Sequence, residues 1–346
     1  MSKPVELFPA HPALRAKPVV RPQEAAPLLF VVVDTEEEFD WNAPFARVNT
    51  SVRAIPHLLE LQKVFDRFRV RPTYVIDYPV ATQRVASDVI RELVESKRGD
   101  VGAHLHPWVT PPFTEDVNRT NSYACNLGQE VEEAKLRVLT DAIESQIGVR
   151  PRIYKAGRYG FGLSTMACLE RLAYDADVSV NPLMDFSSDH GPNFAAFDAS
   201  PFFFGKTRRL LEVPCTHGFA GFARAIGRSL HRASEAALLR TIRLTGVLRR
   251  TGALNKVMLS PETSTLDEMK AVTRSLLADG ARTFTVTFHS PSAQPGHTPY
   301  VRTATDSRAF VSRLESFLDY FLGSLGGEPG TIEGFRLSVL SADSTL

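Results

Sequence analysis

The chain has 346 residues, 43% hydrophobic, 23% charged and 9% aromatic, a globular profile that excludes wholesale disorder, collagen and coiled coil. Forty basic residues stand against thirty-nine acidic ones, net +1, so the global basic excess of a nucleic-acid binder is missing. Only Arg224–Arg250 is locally basic, and it reads as a solvated helix face; no run of about 18 apolar residues is present to cross a bilayer.

Residues 1–27 are rich in proline and lack both periodicity and an apolar signal core. They predict an extended leader rather than a secretory signal. Cys125, Cys168 and Cys215 are scattered without CxxC spacing, which argues against a disulfide framework or a cysteine zinc site. A cytoplasmic setting is the expectation. Leu28–Val33 (LLFVVV) then reads as a strand buried on both faces. Segment 51–68 has helical spacing, 72–77 reads as a strand and 85–97 as a helix, and a short strand follows near Val101. Residues 129–147 carry a helical stripe of Ala134, Leu136, Leu139, Ile143 and Ile147, with Gly148 placed to cap its end.

Strand 152–155, helix 163–173 and a strand at Val178–Val180 come next. Strand 209–213, helical segments over 222–250, strand 256–259, helix 265–279 and strand 283–288 follow, and a helix over 306–322 closes the pattern. Alternating apolar strands and helices predict an α/β fold, a distorted (β/α) barrel of seven or eight parallel strands. A doubly wound sheet would normally carry a glycine-rich turn after its first strand; acids stand there instead. The expected organisation is a leader over 1–27, a barrel over 28–322 with an insertion at 181–256, and a C-terminal tail over 323–346.

In α/β barrels the chemistry collects on loops after the strands, and here polar residues follow strand after strand. Strand one ends in Asp34-Thr-Glu36, with Glu37 and Glu38 read as facing solvent. The strand near Val101 leads to His104, His106 and Trp108; strand 152–155 leads to Arg158 and Tyr159. Strand 256–259 leads to Glu262 and strand 283–288 to His289. His104 and His106, two apart, point to one side of an extended chain. With a carboxylate from Asp34 or Glu36 they form the donor set of a divalent-metal site with open positions. Arg158, on a GRYG turn, could pair bidentately with a carboxylate. Trp41 and Trp108 would suit a sugar-binding wall. His217 reads as a structural histidine.

These motifs, VVVDTEEEFDW, GDVGAHLHPW, the segment from NLGQEVEEAKL to KAGRYG, and TFHSPS, occur in order across roughly residues 28–322. In that order they resemble the polysaccharide deacetylase superfamily (NodB homology domain, carbohydrate esterase family 4), and most nearly its WalW-type members associated with lipopolysaccharide biosynthesis. The resemblance implies a metal-dependent hydrolase, most simply a zinc enzyme, that deacetylates an N-acetylated sugar in a lipopolysaccharide or surface-polysaccharide precursor. It implies Asp34 as base, Glu36, His104 and His106 as metal ligands, and Arg158 as the residue that orients the base. It also implies the Tyr159 backbone N–H as oxyanion donor and His289 as general acid. Two departures accompany it. The adjacent Asp-Asp of the first motif is Asp34-Thr-Glu36 here, and the two histidines are two apart rather than four. The fourth motif is only faintly matched, by Asp175-Ala-Asp177. Two other functions compete: a binding protein that holds a sugar or metal without turnover, and a glycosidase built on Asp34 and Glu262.

Overall fold

The computed structural model describes residues 17–206, 210–227, 251 and 253–343. The helical segments expected over 222–250 fall largely outside the described residues, as does most of the basic stretch. Strands β1 (Lys17–Pro18), β2 (Leu28–Thr35), β3 (Thr73–Ile76), β4 (Asp100–Leu105), β5 (Ile153–Ala156) and β6 (Ala176–Asp177) are followed by β7 (Phe202–Phe204), β8 (Leu210–Glu212), β9 (His217–Ala220), β10 (Asn255–Met258), β11 (Thr283–His289) and β12 (Glu328–Pro329). The main helices are α1 (Leu58–Arg67), α2 (Tyr78–Thr82), α3 (Arg84–Glu95), α4 (Gln129–Ile147), α5 (Leu163–Arg171), α6 (Leu266–Ala278), α7 (Ala304–Leu318) and α8 (Ile332–Asp343).

One sheet runs in the order β1-β7-β8-β6-β5-β4-β3-β2-β11. From β8 through β11 every pairing is parallel, seven strands in all, while β7 and β1 add antiparallel at one edge. The mostly parallel α/β sheet predicted from the strand–helix alternation is the observed one. From β2 to β6, strands neighbouring in sequence neighbour in space, the usual outcome of short crossovers. Strand β6 sits two residues before the predicted Val178–Val180; those residues stay buried and extended, and Val178 N–H still donates to Tyr154 O at 2.9 Å.

The sheet curls. Strand β5 lies three strand spacings from β2, about 14 Å if flat, yet Lys155 Nζ of β5 meets Asp34 of β2 at 2.6 Å and Thr287 of β11 at 3.0 Å. Between β8 and β11 no ladder forms among the described residues. Single bonds cross that gap instead: Leu259 N–H to Thr216 O at 2.8 Å, and Thr287 N–H to Leu259 O at 3.3 Å. Both come from the antiparallel β9–β10 ribbon and its flanks.

Side-chain alternation sorts each strand into two faces. Leu29, Val31, Val33, Ala103, Tyr154, Phe284, Val286 and Phe288 join the large core beneath the helices. Their neighbours Phe30, Val32, Val75, Ile153 and Leu211 form a second cluster inside the curl. On that same inner parity, further along the strands, stand Asp34, His104, Lys155 and His289. The inner face is apolar at one end and ionic at the other.

Residues 323–346, expected as a tail, hold β12 and α8. Strand β12 pairs with Leu28 and Leu29, and Ile332 and Phe335 of α8 are buried in the inner cluster. Phe335 packs on Phe30 with ring centroids 5.4 Å apart. The segment closes the apolar end of the curl. At the other extreme, Lys17 and Pro18 of the expected leader pair with Phe203 and Phe202. Phe335→Ala is expected to cost about 3 kcal/mol of stability through the cavity it leaves, measured by urea denaturation, without changing divalent-metal uptake.

Candidate metal and acid–base site

The C-terminal ends of β2, β4, β5 and β11 open on a cavity of about 650 Å³. Asp34, Glu36, Trp41, His104, His106, Trp108, Arg158, Tyr159 and His289 all line it, together with Lys155. The residues expected as base, acid, metal ligands, oxyanion donor and sugar-facing tryptophans thus reach one cavity, though not every one in the expected contact.

Glu36 sits one residue past β2, its N–H donating to Ser290 Oγ at 3.1 Å. Its Oε2 lies 3.4 Å from Nε2 of both His104 and His106. Each imidazole has its other nitrogen engaged: His104 Nδ1 lies 3.1 Å from Lys155 O, and His106 Nδ1 lies 2.7 Å from Glu37 Oε2. Those partners fix both tautomers and aim both Nε2 lone pairs at one point. Burial, and for His104 the neighbouring His106, lowers the tendency of either ring to protonate, His106 to about 4. Both are therefore neutral donors. Glu36 Oε1 is buried and makes no hydrogen bond, an expensive condition unless something cationic fills the space. Two neutral imidazoles and one carboxylate, their donor atoms within 4.8 Å of one another, fit zinc or a similar divalent ion with coordination positions to spare.

Glu37 was read as facing solvent; it is fully buried. Its Oε1 accepts from Trp108 Nε1 at 2.8 Å, its Oε2 contacts His106, and its N–H donates to Asp77 Oδ2 at 2.6 Å. Burial pushes its carboxyl up to about 8. Glu38, also read as facing solvent, accepts from Ser51 Oγ at 2.6 Å and from the Ala54 N–H, tying the β2 loop to the start of the next helical segment. An i, i+2 reading of the acidic run could have warned of this, because neighbours in an extended chain alternate sides. Glu36 turns to the cavity and Glu37 to the wall behind it.

Asp34 was expected to pair with Arg158, and that pairing is absent. Lys155 takes its place, with Nζ 2.6 and 2.7 Å from the two carboxylate oxygens and the ammonium 1% exposed. Burial alone would raise the Asp34 carboxyl, but Lys155, His104 and His289 outweigh it and hold Asp34 below its usual range. Arg158 sits on a left-handed backbone, at φ 55° and ψ 24°, and its side chain is engaged on another part of the cavity wall. Its guanidinium pairs with Asp189 and Ser122 and lies 4.0 Å over the Tyr123 ring. Gly157 belongs to the same turn, and a Cβ there would strike the His106 ring and Leu105 O. Only glycine lets β5 end so close to β4.

His289 completes the floor. Its Nδ1 lies 2.8 Å from Glu262 Oε2 and its Nε2 faces Asp34 Oδ2 at 3.8 Å. Burial would drive the imidazole to neutrality, yet Glu262, Glu36 and Asp34 reverse this and push it up to about 9. The imidazole stands between Asp34 and Glu262, so the two carboxylates do not flank a common opening as a glycosidase pair must. Trp41 packs edge-on against His289 at 4.8 Å. Trp108, expected in a sugar-binding wall, is almost fully buried and stacks on His106 at 4.3 Å, backing that imidazole. His217 lies buried against Asn181 at 2.7 Å, outside the cavity, as a structural histidine. Asp177 is a buried partner of Ser179 on β6 and does not line the cavity.

No family model matches the chain, and no curated protein matches it. Among solved structures it is similar to a protein from Mycobacterium smegmatis provisionally described as a polysaccharide deacetylase, with TM-score 0.52 and 15% identity over 98% of this chain and 96% of that one. A family 4 carbohydrate esterase from Streptomyces lividans in complex with acetate scores 0.43 at 11% identity, over 89% and 94% of the two chains. A CE4 family pseudoenzyme from Bacillus anthracis scores 0.42 at 8% identity, over 90% and 66%. The first likeness shows that this chain shares the fold of that M. smegmatis protein.

The donor geometry carries its own test. Stripped with a chelator and titrated with Zn²⁺, the protein is expected to take up one ion per chain. Glu36→Gln and His104→Ala should abolish uptake, and Glu37→Gln should weaken it roughly tenfold or more through His106, as read by competition with a zinc chelator dye.

Proposed function

We propose that the chain is a divalent-metal-dependent deacetylase of the carbohydrate esterase family 4 type, nearest the WalW-type members. Its substrate would be an N-acetylated sugar in a lipopolysaccharide or surface-polysaccharide precursor, in the cytoplasm. One observation carries the reading: a carboxylate held ionised by a buried lysine faces an imidazole held protonated by a buried glutamate, beside a His₂Glu donor set. Base, acid and Lewis-acid site thus converge on one cavity with aromatic walls. Three free cysteines, two of them buried, agree with a reducing compartment.

A divalent ion held by Glu36, His104 and His106 would polarise the amide carbonyl and acidify a water. Asp34 accepts the proton of the attacking water as the C–O bond forms, and Lys155 keeps its carboxylate charged and fixed. The Tyr159 main-chain N–H is the proposed donor to the developing oxyanion, such a donor contributing about 3 kcal/mol. His289 then delivers its Nε2 proton to the amide nitrogen as the C–N bond breaks, releasing acetate and an amino sugar. Glu262 holds the other imidazole nitrogen throughout. Trp41 and Tyr300 pack against His289, limiting water around the acid.

Acetate release from N-acetylated sugars by the zinc-loaded protein tests the reading. Asp34→Asn should lower turnover roughly a thousandfold, within the range of general base catalysis, with metal content unchanged. Sugar binding with no acetate release by the unaltered protein would leave a binding protein instead. The pH profile gives a second expectation. His289 is the acid in its protonated form, and Glu262 favours that form. Activity should therefore fall on the alkaline side as His289 loses its proton, and Glu262→Gln should move that limb to lower pH, seen in kcat against pH.

A further inference from the structure

Building on that deacetylase reading, we infer that the substrate carries an anionic group, a phosphate or a carboxylate, received by Arg119 and Arg158 on the cavity wall. Three carboxylates line the cavity (Asp34, Glu36 and Asp189) and three permanent cations face them (Lys155, Arg119 and Arg158). Their pairing is uneven. Lys155 is engaged by both oxygens of Asp34 and by Thr287, and a divalent ion at Glu36 would more than neutralise that carboxylate. Asp189 alone is left to two guanidiniums, its Oδ1 on Arg119 Nε and its Oδ2 on Arg158 Nη2. Tyr123 O–H also donates to Asp189 Oδ2, at 2.8 Å, so the acid is fully used. The wall keeps a surplus of positive charge inside a cavity whose other surfaces are largely aromatic.

The two arginines differ in the way a binding site needs. Arg158 is 20% exposed and fixed, its guanidinium between the rings of Tyr123 at 4.0 Å and Phe45 at 4.9 Å. Its planar fork is held in place before any ligand arrives. Arg119 is 72% exposed, and among the described residues its terminal Nη groups make no hydrogen bond. It can swing onto an entering anion, and guanidinium pairs with phosphate or carboxylate bidentately. Because Lys155 serves the base, neither arginine is needed there. The site lies one turn from the metal donors, since Gly157, which precedes Arg158, packs on the His106 ring.

Isothermal titration of the zinc-loaded protein with N-acetylglucosamine, its 1-phosphate and its uronic acid tests this. At least one anionic sugar should bind about tenfold or more tightly than the neutral one, the scale of one added charge-assisted contact. The preferred anion then identifies the source, phosphate or carboxylate. The advantage should shrink with added salt and vanish in Arg119→Gln with Arg158→Gln, while neutral-sugar affinity and zinc content stay unchanged. Arg119→Gln alone, at an exposed position, should remove part of the advantage if the double variant folds poorly. Equal affinity for all three sugars, absence of anionic-sugar binding, or an advantage undiminished in the Arg119 variant would overturn the inference. Zinc content and acetate release, measured separately, report on the deacetylase reading itself.

Discussion

The contact between Lys155 and Asp34 is the interaction on which the rest depends. A lysine and an aspartate taken out of water separately would each lose several kcal/mol of solvation. Placed together at 2.6 and 2.7 Å, with Thr287 at 3.0 Å from the same ammonium, they remain charged. Burial opposes the charged form of Lys155, and the carboxylate reverses that, holding the ammonium above its usual range. Such a pair requires β5, β2 and β11 to face one another, so it is possible only in a curled sheet. The curl in turn brings His104 of β4 between them. Removing either charge would strand the other in a dry interior, which costs far more than the pair itself contributes.

The same geometry explains the division of the inner face. At the start of the strands the residues are Phe30, Val32 and Ile153, capped by Ile332 and Phe335. Along β11 the inner positions are Thr283, Thr285 and Thr287, whose outer neighbours are Phe284, Val286 and Phe288. Threonine keeps the branched shape a strand favours while offering a hydroxyl to the ionic end. A dry floor beneath the charges keeps their mutual interactions strong, because the local dielectric is low. Helix α8 therefore serves the site although it touches none of its reactive atoms.

Much of this was legible in the sequence, for stated reasons. Apolar runs followed by acids or histidines mark the ends of buried strands, and β2, β4, β5 and β11 all ended where polar residues began. What stayed hidden were partners whose roles come from the third dimension. Lys155 sits inside an otherwise apolar strand, YKA, and reads as an interruption until Asp34 lies opposite. Glu37 is one of three consecutive glutamates, and only alternation about a fixed strand separates the one facing the cavity from the one behind it. Glu262 follows β10 and reaches His289 across 27 positions. Helix α8 has neither a strong stripe nor a length to distinguish it from an exposed end; its two buried residues acquire meaning only from Phe30.

The short spacing of the two histidines follows from the same logic. Two ligands four apart suit a helical turn, where such residues share a face. Two apart suit an extended chain, and here His104 is on β4 while His106 lies just beyond it. Keeping the chain extended that far places His106 against the neighbouring strand's exit, and Gly157 removes the side chain that would block it. It also carries His106 Nδ1 away from the backbone carbonyl that His104 uses, so a separate acceptor is required. Glu37 supplies it, and Trp108 holds Glu37 in place. The third acid of the run, the HxH spacing, the following tryptophan and the glycine of the next strand's turn are thus parts of one solution. Changing the histidine spacing alone would leave a buried glutamate without its partner.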